Sequence, residues 1–314
     1  MGRQRKRKGD PVHGWIAVDK PVEITSTKVV GILKRLFNAQ KVGHGGTLDP
    51  LADGILPIAF GEATKTSQWA MDCDKEYVFT IEWGTSTASQ DKEGDVVATS
   101  DVRPTEAAIR SALPAFVGAI DQVPPKYSAI KIQGERAYDL VRDGEAFEIP
   151  SRQVDVYEAE LVDLPDPHHA TLRVVSGKGF YVRAMARDLA AALGAEGHVS
   201  ALRRTRVGAL DQQSAISLAE IEAMADDKDA LLNLLKPLET VLDDIPLIEI
   251  DAGDTAAIQQ GREIVLLPHV VENWQQNRNR AGDDRLALTV HDSRAIALGD
   301  VRAGRFQPKK VFQL

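Results

Sequence analysis

The sequence has little cysteine and no long apolar run, and each shortage excludes a class of protein. A single cysteine, Cys73, among 314 residues excludes a disulfide framework and a cysteine-based zinc site, and fits a reducing compartment. No apolar run approaches the roughly 18 residues that cross a bilayer. The basic residues 3–8 are not followed by an apolar segment, so we expect no signal peptide. We therefore expect a cytoplasmic protein with no membrane partner.

The common cofactor and nucleophile motifs are missing as well. There is no Walker phosphate loop and no GxGxxG fingerprint after a strand. The seven histidines show no HExxH spacing, and no GxSxG nucleophile elbow occurs. If the protein is an enzyme, we expect it to work through a carboxylate, with no metal and no cofactor.

Charge is distributed unevenly along the chain. The net charge is −8, and residues 226–254 contain nine acidic and two basic residues, so this segment alone carries 2 − 9 = −7. Basic residues cluster instead at positions 3–8, 203–206 and 302–310. Such clusters could hold phosphates despite the acidic total, or they could be an ordinary charged surface.

The length of 314 residues suggests about two domains, and the apolar pattern indicates their elements. Helical spacing predicts helices from Ser26, over 62–71, from Pro104, over 180–193 and around 231–242. Strand patterns occur at 14–19, 55–60, 77–83, 154–162, 171–175 and 199–207. We place the boundary at Pro246, between a first domain at 11–245 and a small β domain at 246–314. Residues 122–153, with a charged helix predicted at 135–142, fit an external binding flap, and residues 1–10 are expected to be a disordered basic tail.

Residues 42–61 contain the strongest signal for a functional site. They place one carboxylate, Asp49, in a glycine-rich turn between His44 and an apolar strand at 55–60. Pro50 favours an extended or turn conformation for Asp49, and the glycines let a ligand approach the backbone closely. A lone Asp-Pro pair is more often a simple turn, so other residues must decide.

A carboxylate in a cleft stays ionised beside a cation, because an arginine in contact lowers its pKa by roughly 1–3 units. Arg183 is the best candidate, since it opens a predicted helix after a glycine-rich turn. Tyr77 and Tyr181 could each bring a ring and a hydroxyl to the same cleft, or could be amphipathic core residues. On spacing alone, Arg183 would be a surface arginine and His44 a lone, satisfied histidine.

Several blocks of sequence resemble, in order, the TruB family of tRNA pseudouridine synthases. The first is the loop Gly43-His-Gly-Gly-Thr-Leu-Asp-Pro-Leu-Ala-Asp-Gly-Ile-Leu-Pro57. The others are Val18-Asp-Lys-Pro21, Lys75-Glu-Tyr77, Val123-Pro-Pro-Lys-Tyr-Ser-Ala-Ile-Lys131, Gly134-Glu-Arg-Ala-Tyr-Asp-Leu140, Gly179-Phe-Tyr-Val-Arg183 and Leu202-Arg-Arg204. A weaker match, Gly304-Arg-Phe-Gln-Pro-Lys-Lys-Val-Phe312, lies near the end.

The resemblance implies a fold, a reaction and a partner. The fold is an α+β pseudouridine synthase catalytic domain with a central mixed, mainly antiparallel sheet flanked by helices, followed by a small β-barrel-like domain of the PUA type. The reaction is isomerisation of the uridine at position 55, in the T-loop of tRNA, by base flipping and cleavage and re-formation of the glycosidic bond. The partner is tRNA, bound at its T-loop and acceptor arm by a monomer that needs no other protein and no cofactor.

The resemblance also implies roles for individual residues. Asp49 would be the nucleophile or initiating base, Arg183 its ion-pair partner, and Tyr77 the ring that stacks on the flipped base and handles the C5 proton. The expected substrate-binding residues are His44, Tyr181, Leu202, Lys20, Tyr127, Lys131 and Arg136, the last three on the RNA-gripping insertion at about 122–153.

Two positions depart from the family pattern, and three other functions remain open. Gly45 and Asp53 each stand where the family usually has threonine, and we do not expect Asp53 to be catalytic. One alternative is a guide-RNA-dependent, box H/ACA-type pseudouridine synthase. A second is a non-catalytic tRNA-binding or folding factor on the same scaffold, against which Asp49, Tyr77 and Arg183 argue. The third is a glycosidase using Asp49 and Asp53, whose carboxyl groups would have to lie roughly 5–9.5 Å apart.

Overall fold

Two β-sheets organise the chain, a large one between residues 14 and 217 and a small one between residues 247 and 311. The computed structural model describes residues 9–128, 130–132, 135–136, 147–277 and 285–314. In chain order the strands of the described residues are β1 (Gly14–Lys20), β2 (Val42–His44), β3 (Ala52–Phe60), β4 (Lys75–Trp83), β5 (Thr85–Thr87), β6 (Val96–Thr99), β7 (Gly118–Gln122), β8 (Lys131–Ile132), β9 (Glu135–Arg136), β10 (Arg152–Asp166), β11 (His169–Ser176), β12 (Gly197–Val207), β13 (Leu210–Asp211), β14 (Ile216–Ser217), β15 (Leu247–Glu249), β16 (Ile264–Val265), β17 (Leu286–His291), β18 (Arg294–Arg302) and β19 (Arg305–Val311).

The described helices flank these sheets and begin at polar capping residues in several cases. They are α1 (Ser26–Leu36), α2 (Ser67–Asp72), α3 (Glu106–Ala112), α4 (Val182–Ala192), α5 (Leu218–Ala223), α6 (Lys228–Asn233), α7 (Ala252–Gln259) and α8 (Pro268–Asn277). Thr25 accepts a hydrogen bond from the amide of Lys28 at the start of α1, and Ser217 and Glu220 form a reciprocal capping box at the start of α5. Each cap satisfies an amide that the first turn of the helix leaves free.

The large sheet is mixed and mainly antiparallel. Its strand order is β14-β1-β3-β12-β4-β11-β10-β7, with β2 beside β3 and β13 beside β12. The pairs β1–β14 and β3–β12 are parallel, and the remaining pairs are antiparallel. The apolar stripes of α1 (Val29, Leu33) and α4 (Met185, Leu189) join the core of this sheet. The predicted α+β class, with a mixed sheet flanked by helices, is confirmed.

The small sheet is a curled half-barrel with the order β15-β17-β18-β19-β16. It packs against the large sheet through a shared apolar cluster that includes Trp15 and Ile55 on one side and Leu288 and Phe312 on the other. The Lys65 ammonium also donates to the carbonyl oxygen of Val311 at 2.7 Å. Side chains from both sheets therefore form one continuous contact.

Several sequence-based boundaries differ from the structure. The helix predicted around 231–242 is wrong: α6 ends at Asn233, and a 3-10 turn follows at Leu238–Val241 because Pro237 cannot continue the helix. The helix predicted over 62–71 begins as a 3-10 segment at Gly61–Thr66 before α2 starts. The helix expected from Pro104 starts at Glu106, where Thr105 caps it.

The two least regular segments lie partly outside the described residues. Residues 9 and 10 do not belong to a disordered tail, since the amide of Asp10 donates to Asn38 at 2.7 Å and its carboxylate accepts from Lys228 at 2.8 Å. Residues 1–8 lie outside the described residues, and so does the helix predicted at 135–142, apart from the two residues of β9. Of the expected flap at 122–153, the described residues are 122–128, 130–132, 135–136 and 147–153, and they include the short strand pair β8–β9.

Candidate active site

The Asp49 turn connects β2 to β3 and is fixed by hydrogen bonds to the turn that follows β1 and to the start of α1. The hydroxyl of Ser26, at the start of α1, accepts from the amide of Leu48 at 2.9 Å and donates to its carbonyl oxygen at 3.0 Å. The carbonyl oxygen of Pro50 accepts from the amide of Glu23 at 2.7 Å. Asp49 is partly exposed in this anchored turn, with 37% of its side chain accessible.

Arg183 makes the contact with Asp49 that the sequence predicted as a pair. Its Nη2 lies 2.8 Å from a carboxylate oxygen of Asp49, and its Nη1 lies 3.3 Å from a carboxylate oxygen of Asp91. The guanidinium also donates to the carbonyl oxygens of Ser89 at 2.9 Å and Tyr127 at 3.0 Å. Only 6% of the Arg183 side chain is exposed, so the guanidinium itself has little freedom to move and holds Asp49 in a defined position.

Asp91 is the part of this cluster that sequence reasoning missed. Its side chain is 4% exposed and accepts from the hydroxyl of Ser89 at 2.5 Å and the amide of Glu93 at 3.1 Å. These bonds orient a buried carboxylate whose charge the Arg183 guanidinium balances. The available signal was the polar turn Thr87-Ala-Ser-Gln-Asp-Lys-Glu-Gly94, in which Ser89 and Asp91 have the spacing of a self-bonded turn.

Tyr181 positions the helix that carries Arg183. It occupies the N-cap position of α4, where its own side chain makes no capping bond. Its backbone is held instead by the amide group of Gln122, a side chain that is 1% exposed: the amide of Tyr181 donates to Oε1 at 2.8 Å, and Nε2 donates to the carbonyl oxygen of Tyr181 at 3.1 Å. This two-way bond fixes the first turn of α4 against β7.

Tyr77 and Leu202 come together on adjacent strands beside the Asp49 turn. Leu202 on β12 is paired in register with Ala52 on β3 and Phe79 on β4, and it is 8% exposed. Tyr77, on β4, packs its ring 6.4 Å from the ring of Phe180. The same register places Tyr77 opposite Arg204, a buried arginine that the sequence showed only as one of a basic cluster.

His44 and Lys20 lie near the same turn, His44 at the end of β2 and Lys20 at the end of β1. Burial, and then the nearby Arg204 charge, lower the pKa of His44, which favours a neutral ring at pH 7. Burial lowers the pKa of Lys20, while Asp53 and Asp49 oppose that shift. Lys20 is fully buried, and its ammonium donates to the carbonyl oxygens of Pro21 at 2.8 Å and Ile24 at 3.0 Å. The described hydrogen bonds of the Lys20 ammonium are therefore with backbone carbonyl groups of the protein.

Asp53 is occupied by an ion pair of its own. Its carboxylate lies 3.0 Å from Arg203, and Arg203 also binds Asp19 at 2.7 Å. An acid engaged in this way on β3 does not need a second role beside Asp49. The arrangement favours the reading in which Asp53 is not catalytic.

Gly45, the other departure from the family pattern, is explained by packing. A Cβ atom at this position would lie 2.5 Å from the Cβ of Ala70 and 3.3 Å from that of Pro57. Real Cβ contacts do not reach such a distance, so α2 and β3 leave room for glycine alone.

The flap residues are placed only in part. Tyr127 is 41% exposed, and its carbonyl oxygen binds Arg183, so its backbone belongs to the site. Lys131 and Arg136 are paired in register on β8 and β9, and their side chains lie outside the described residues. Within the described part of the chain, no cluster of His, Cys, Asp or Glu has the form of a metal site, and no helix is long and apolar enough to span a bilayer.

Comparison with known proteins shows the family. Residues 34–182 match the model of the TruB family pseudouridylate synthase N-terminal domain, and residues 183–243 match that of the tRNA pseudouridylate synthase B C-terminal domain. The chain is 52% identical over 310 residues to the tRNA pseudouridine synthase B of Caulobacter vibrioides, covering 99% of each chain. The chain belongs to the TruB family of tRNA pseudouridine synthases. The Bradyrhizobium diazoefficiens relative with the same name is 46% identical over 317 residues, covering 100% of this chain and 89% of its own.

This TruB-family chain is an enzyme that isomerises uridine in tRNA. A solved box H/ACA ribonucleoprotein bound to a substrate RNA containing 2'-deoxyuridine shares its fold, with a TM-score of 0.71 and 22% identity, covering 99% of this chain and 92% of that one. That likeness shows the fold alone. The alternative of a guide-RNA-dependent enzyme is therefore less supported than the tRNA enzyme, whose named relatives are about twice as similar in sequence.

Proposed function

We propose that the enzyme acts on the uridine at position 55, in the T-loop of tRNA, and that Asp49 starts the reaction. The observation that supports this most is the Asp49–Arg183 ion pair at 2.8 Å, in which a partly exposed carboxylate meets a buried guanidinium. An arginine in contact favours the ionised carboxylate that attack requires. The pair lies beside the interior strands β3, β12 and β4, near the rings and apolar side chains expected to receive a base.

The reaction moves the uracil ring from one attachment to another without net oxidation. The bond from uracil N1 to ribose C1′ breaks, the ring turns, and a new bond forms from C5 to C1′. The hydrogen on C5 leaves as a proton, and N1 gains one. Asp49 either attacks C1′ or removes a sugar proton to give a glycal, and both routes use the same ionised carboxylate.

The residues around Asp49 divide the remaining tasks. Tyr77 stacks on the flipped base and handles the C5 proton, while Leu202 and Tyr181 line the pocket. His44, neutral at pH 7, fills the space that the base leaves in the RNA loop. Flipping costs a few kcal/mol of lost stacking, and aromatic rings are the usual compensation.

The proposed role of Lys20 is indirect. Its ammonium is buried among carbonyl groups, and both Asp53 and Asp49 stabilise its charge. It supports the turn after β1, to which the Asp49 turn is bonded through Glu23 and Pro50. This replaces the direct substrate contact expected from the sequence.

The remaining surface holds the tRNA. Tyr127, Lys131 and Arg136 on the 122–153 insertion would grip the T-loop, and the half-barrel at 246–314 would hold the acceptor arm as a PUA-like module. Phosphate contacts of this kind orient an RNA without reading its sequence. We propose a monomeric, cytoplasmic enzyme that needs no protein partner.

The test is tritium release from tRNA transcripts that carry 5-³H-uridine, with wild-type protein and Asp49→Asn compared. One tritium per tRNA is expected from the wild type and none from Asp49→Asn, whose tRNA affinity should persist. A transcript with that one T-loop uridine replaced should release none. Release that survives this replacement would contradict the assignment of position 55, and substantial turnover by Asp49→Asn would contradict the role of Asp49.

A further inference from the structure

Arg204 is a buried cation beside the site that the steps above do not use. It is 2% exposed, and burial lowers its pKa, while Tyr77 and then Asp49 raise it. Keeping a guanidinium away from water is costly unless its N–H groups are satisfied. Its position therefore needs an explanation in the surrounding structure.

The hydrogen bonds of Arg204 join the two ends of the catalytic turn. Its Nη2 donates to the carbonyl oxygen of Gly46 at 3.2 Å and its Nη1 to that of Thr47 at 3.3 Å, both on the N-terminal side of Asp49. Its Nε donates to the carbonyl oxygen of Ile55 at 2.8 Å, on the C-terminal side. One rigid, planar group thus fixes both ends of the segment that carries Asp49.

The backbone of Arg204 also fits closely against this segment. Gly54, its partner in register on β3, has a φ of +98°, and a Cβ atom there would lie 2.2 Å from the carbonyl oxygen of Arg204. Only glycine adopts this conformation readily and leaves the required space. The segment from Gly46 to Ile55 therefore takes its shape from Arg204 through both side-chain and backbone contacts.

The guanidinium also reaches Tyr77. Arg204 and Tyr77 are directly opposite on the antiparallel strands β12 and β4, so their side chains share one face of the sheet. The proximity of Tyr77 raises the pKa of Arg204, against the effect of burial. A guanidinium only donates, so in a hydrogen bond between the two side chains the Tyr77 oxygen would be the acceptor.

We propose that Arg204 is a positioning residue that sets the Asp49 carboxylate and the Tyr77 hydroxyl in one fixed geometry. It does so without touching the substrate, through the Gly46 and Ile55 ends of the turn and through the Tyr77 oxygen. This inference rests on the proposed function, since it concerns the two groups assigned to the chemistry. Its consequence is that Arg204 affects the rate of the reaction and not the binding of tRNA.

The experiment compares Arg204→Lys and Arg204→Gln with the matched control Arg203→Lys. Arg203 is the neighbouring residue on β12, and its guanidinium binds the carboxylates of Asp19 and Asp53, whereas Arg204 binds backbone carbonyl groups of the segment from Gly46 to Ile55. Single-turnover tritium release gives the rate, and filter binding gives the tRNA dissociation constant. We expect Arg204→Lys to lower the rate by about 100-fold, as a displacement near 1 Å does, with tRNA binding unchanged.

A double variant separates positioning from general loosening of the structure. In Tyr77→Phe protein the Arg204→Lys change should lower the rate much less, because groups that act as a unit are not additive. Equal losses in both backgrounds would overturn the link to Tyr77. Normal rates in both Arg204 variants, with an active wild type, would overturn the whole inference. An inactive wild type would instead overturn the proposed function.

Tyr77→Phe alone keeps the inference testable if neither Arg204 variant folds. It removes one oxygen atom and leaves the buried guanidinium short of an acceptor, so we expect a lower melting temperature than that of the wild type. An unchanged melting temperature would show that the hydroxyl does not serve Arg204, and would overturn the proposed geometry.

Discussion

Replacing Arg183 by lysine tests the arrangement on which the proposed mechanism depends. The guanidinium makes four contacts in different directions, to Asp49 at 2.8 Å, to Asp91 at 3.3 Å and to two carbonyl oxygens. A lysine ammonium is a single point and cannot span both carboxylates. Hydrogen bonds to charged groups contribute about 1.5–3 kcal/mol each. If lysine loses two of the four contacts that arginine makes, the arrangement loses about 3 kcal/mol or more of stabilisation.

That loss corresponds to a fall in rate of about 100-fold, since each 1.36 kcal/mol is a factor of ten. Single-turnover tritium release with enzyme in excess measures it directly. The matched control is Arg187→Lys, one turn further along α4, where the guanidinium binds Asp188 and a backbone carbonyl. The control should remain active. A rate for Arg183→Lys close to that of the control would refute the reasoning and leave Arg183 a structural residue.

Three further outcomes are expected from the same geometry. Asp91→Asn keeps the size of the side chain but leaves Asp49 as the one carboxylate in contact with Arg183. We expect a rate at least about tenfold lower at pH 7, because the buried guanidinium loses a charged partner. A rate equal to that of the wild type would show that Asp91 has no part in the reaction. Gly45→Thr, which restores the usual family residue, should lower the melting temperature because the new Cβ atom meets Ala70. Combining Gly45→Thr with Ala70→Gly should recover part of that loss. A Gly45→Thr protein as stable as the wild type would contradict this packing. Burial lowers the pKa of Lys75 to about 8, so between pH 8 and about 10.4 the unfolded chain binds more protons than the folded one. The free energy of unfolding of the wild type, relative to that of Lys75→Met, should therefore rise with pH over this range. A difference that stays constant with pH in urea denaturation would show that Lys75 keeps its charge.

The sequence predicted the site better than it predicted the helices. Asp49 and Arg183 were recognised as a pair because a cleft carboxylate needs a cation, and the two meet although they are far apart in the chain. The helix around 231–242 was wrong because apolar spacing does not register the effect of Pro237. A small β domain was predicted from short apolar runs, and these runs coincide with the strands β15, β17 and β18.

The groups that sequence reasoning missed or gave no role have local patterns that do not reveal their partners. Asp91 is one acid in a polar turn, and only the approach of α4 turns it into a partner of Arg183. Arg204 is one member of a basic cluster, and its neighbour Arg203 faces two acids while Arg204 faces the core. Which of two adjacent arginines is buried depends on the register of β12 with β3 and β4, a property of the assembled sheet.

The division of Arg183 between two carboxylates has a consequence for the chemistry. A guanidinium paired with Asp49 alone would neutralise it, whereas Asp49, Arg183 and Asp91 together carry one net negative charge. Cleavage of a glycosidic bond builds positive charge on the sugar, as in an oxocarbenium ion. The three residues together keep a residual negative charge, and the partly exposed Asp49 faces the cleft. Because they are already held in place, they can complement the positive charge on the sugar without a penalty for reorganisation. Under the proposed mechanism, Asp91 would thus allow Arg183 to orient Asp49 and still leave it available for attack.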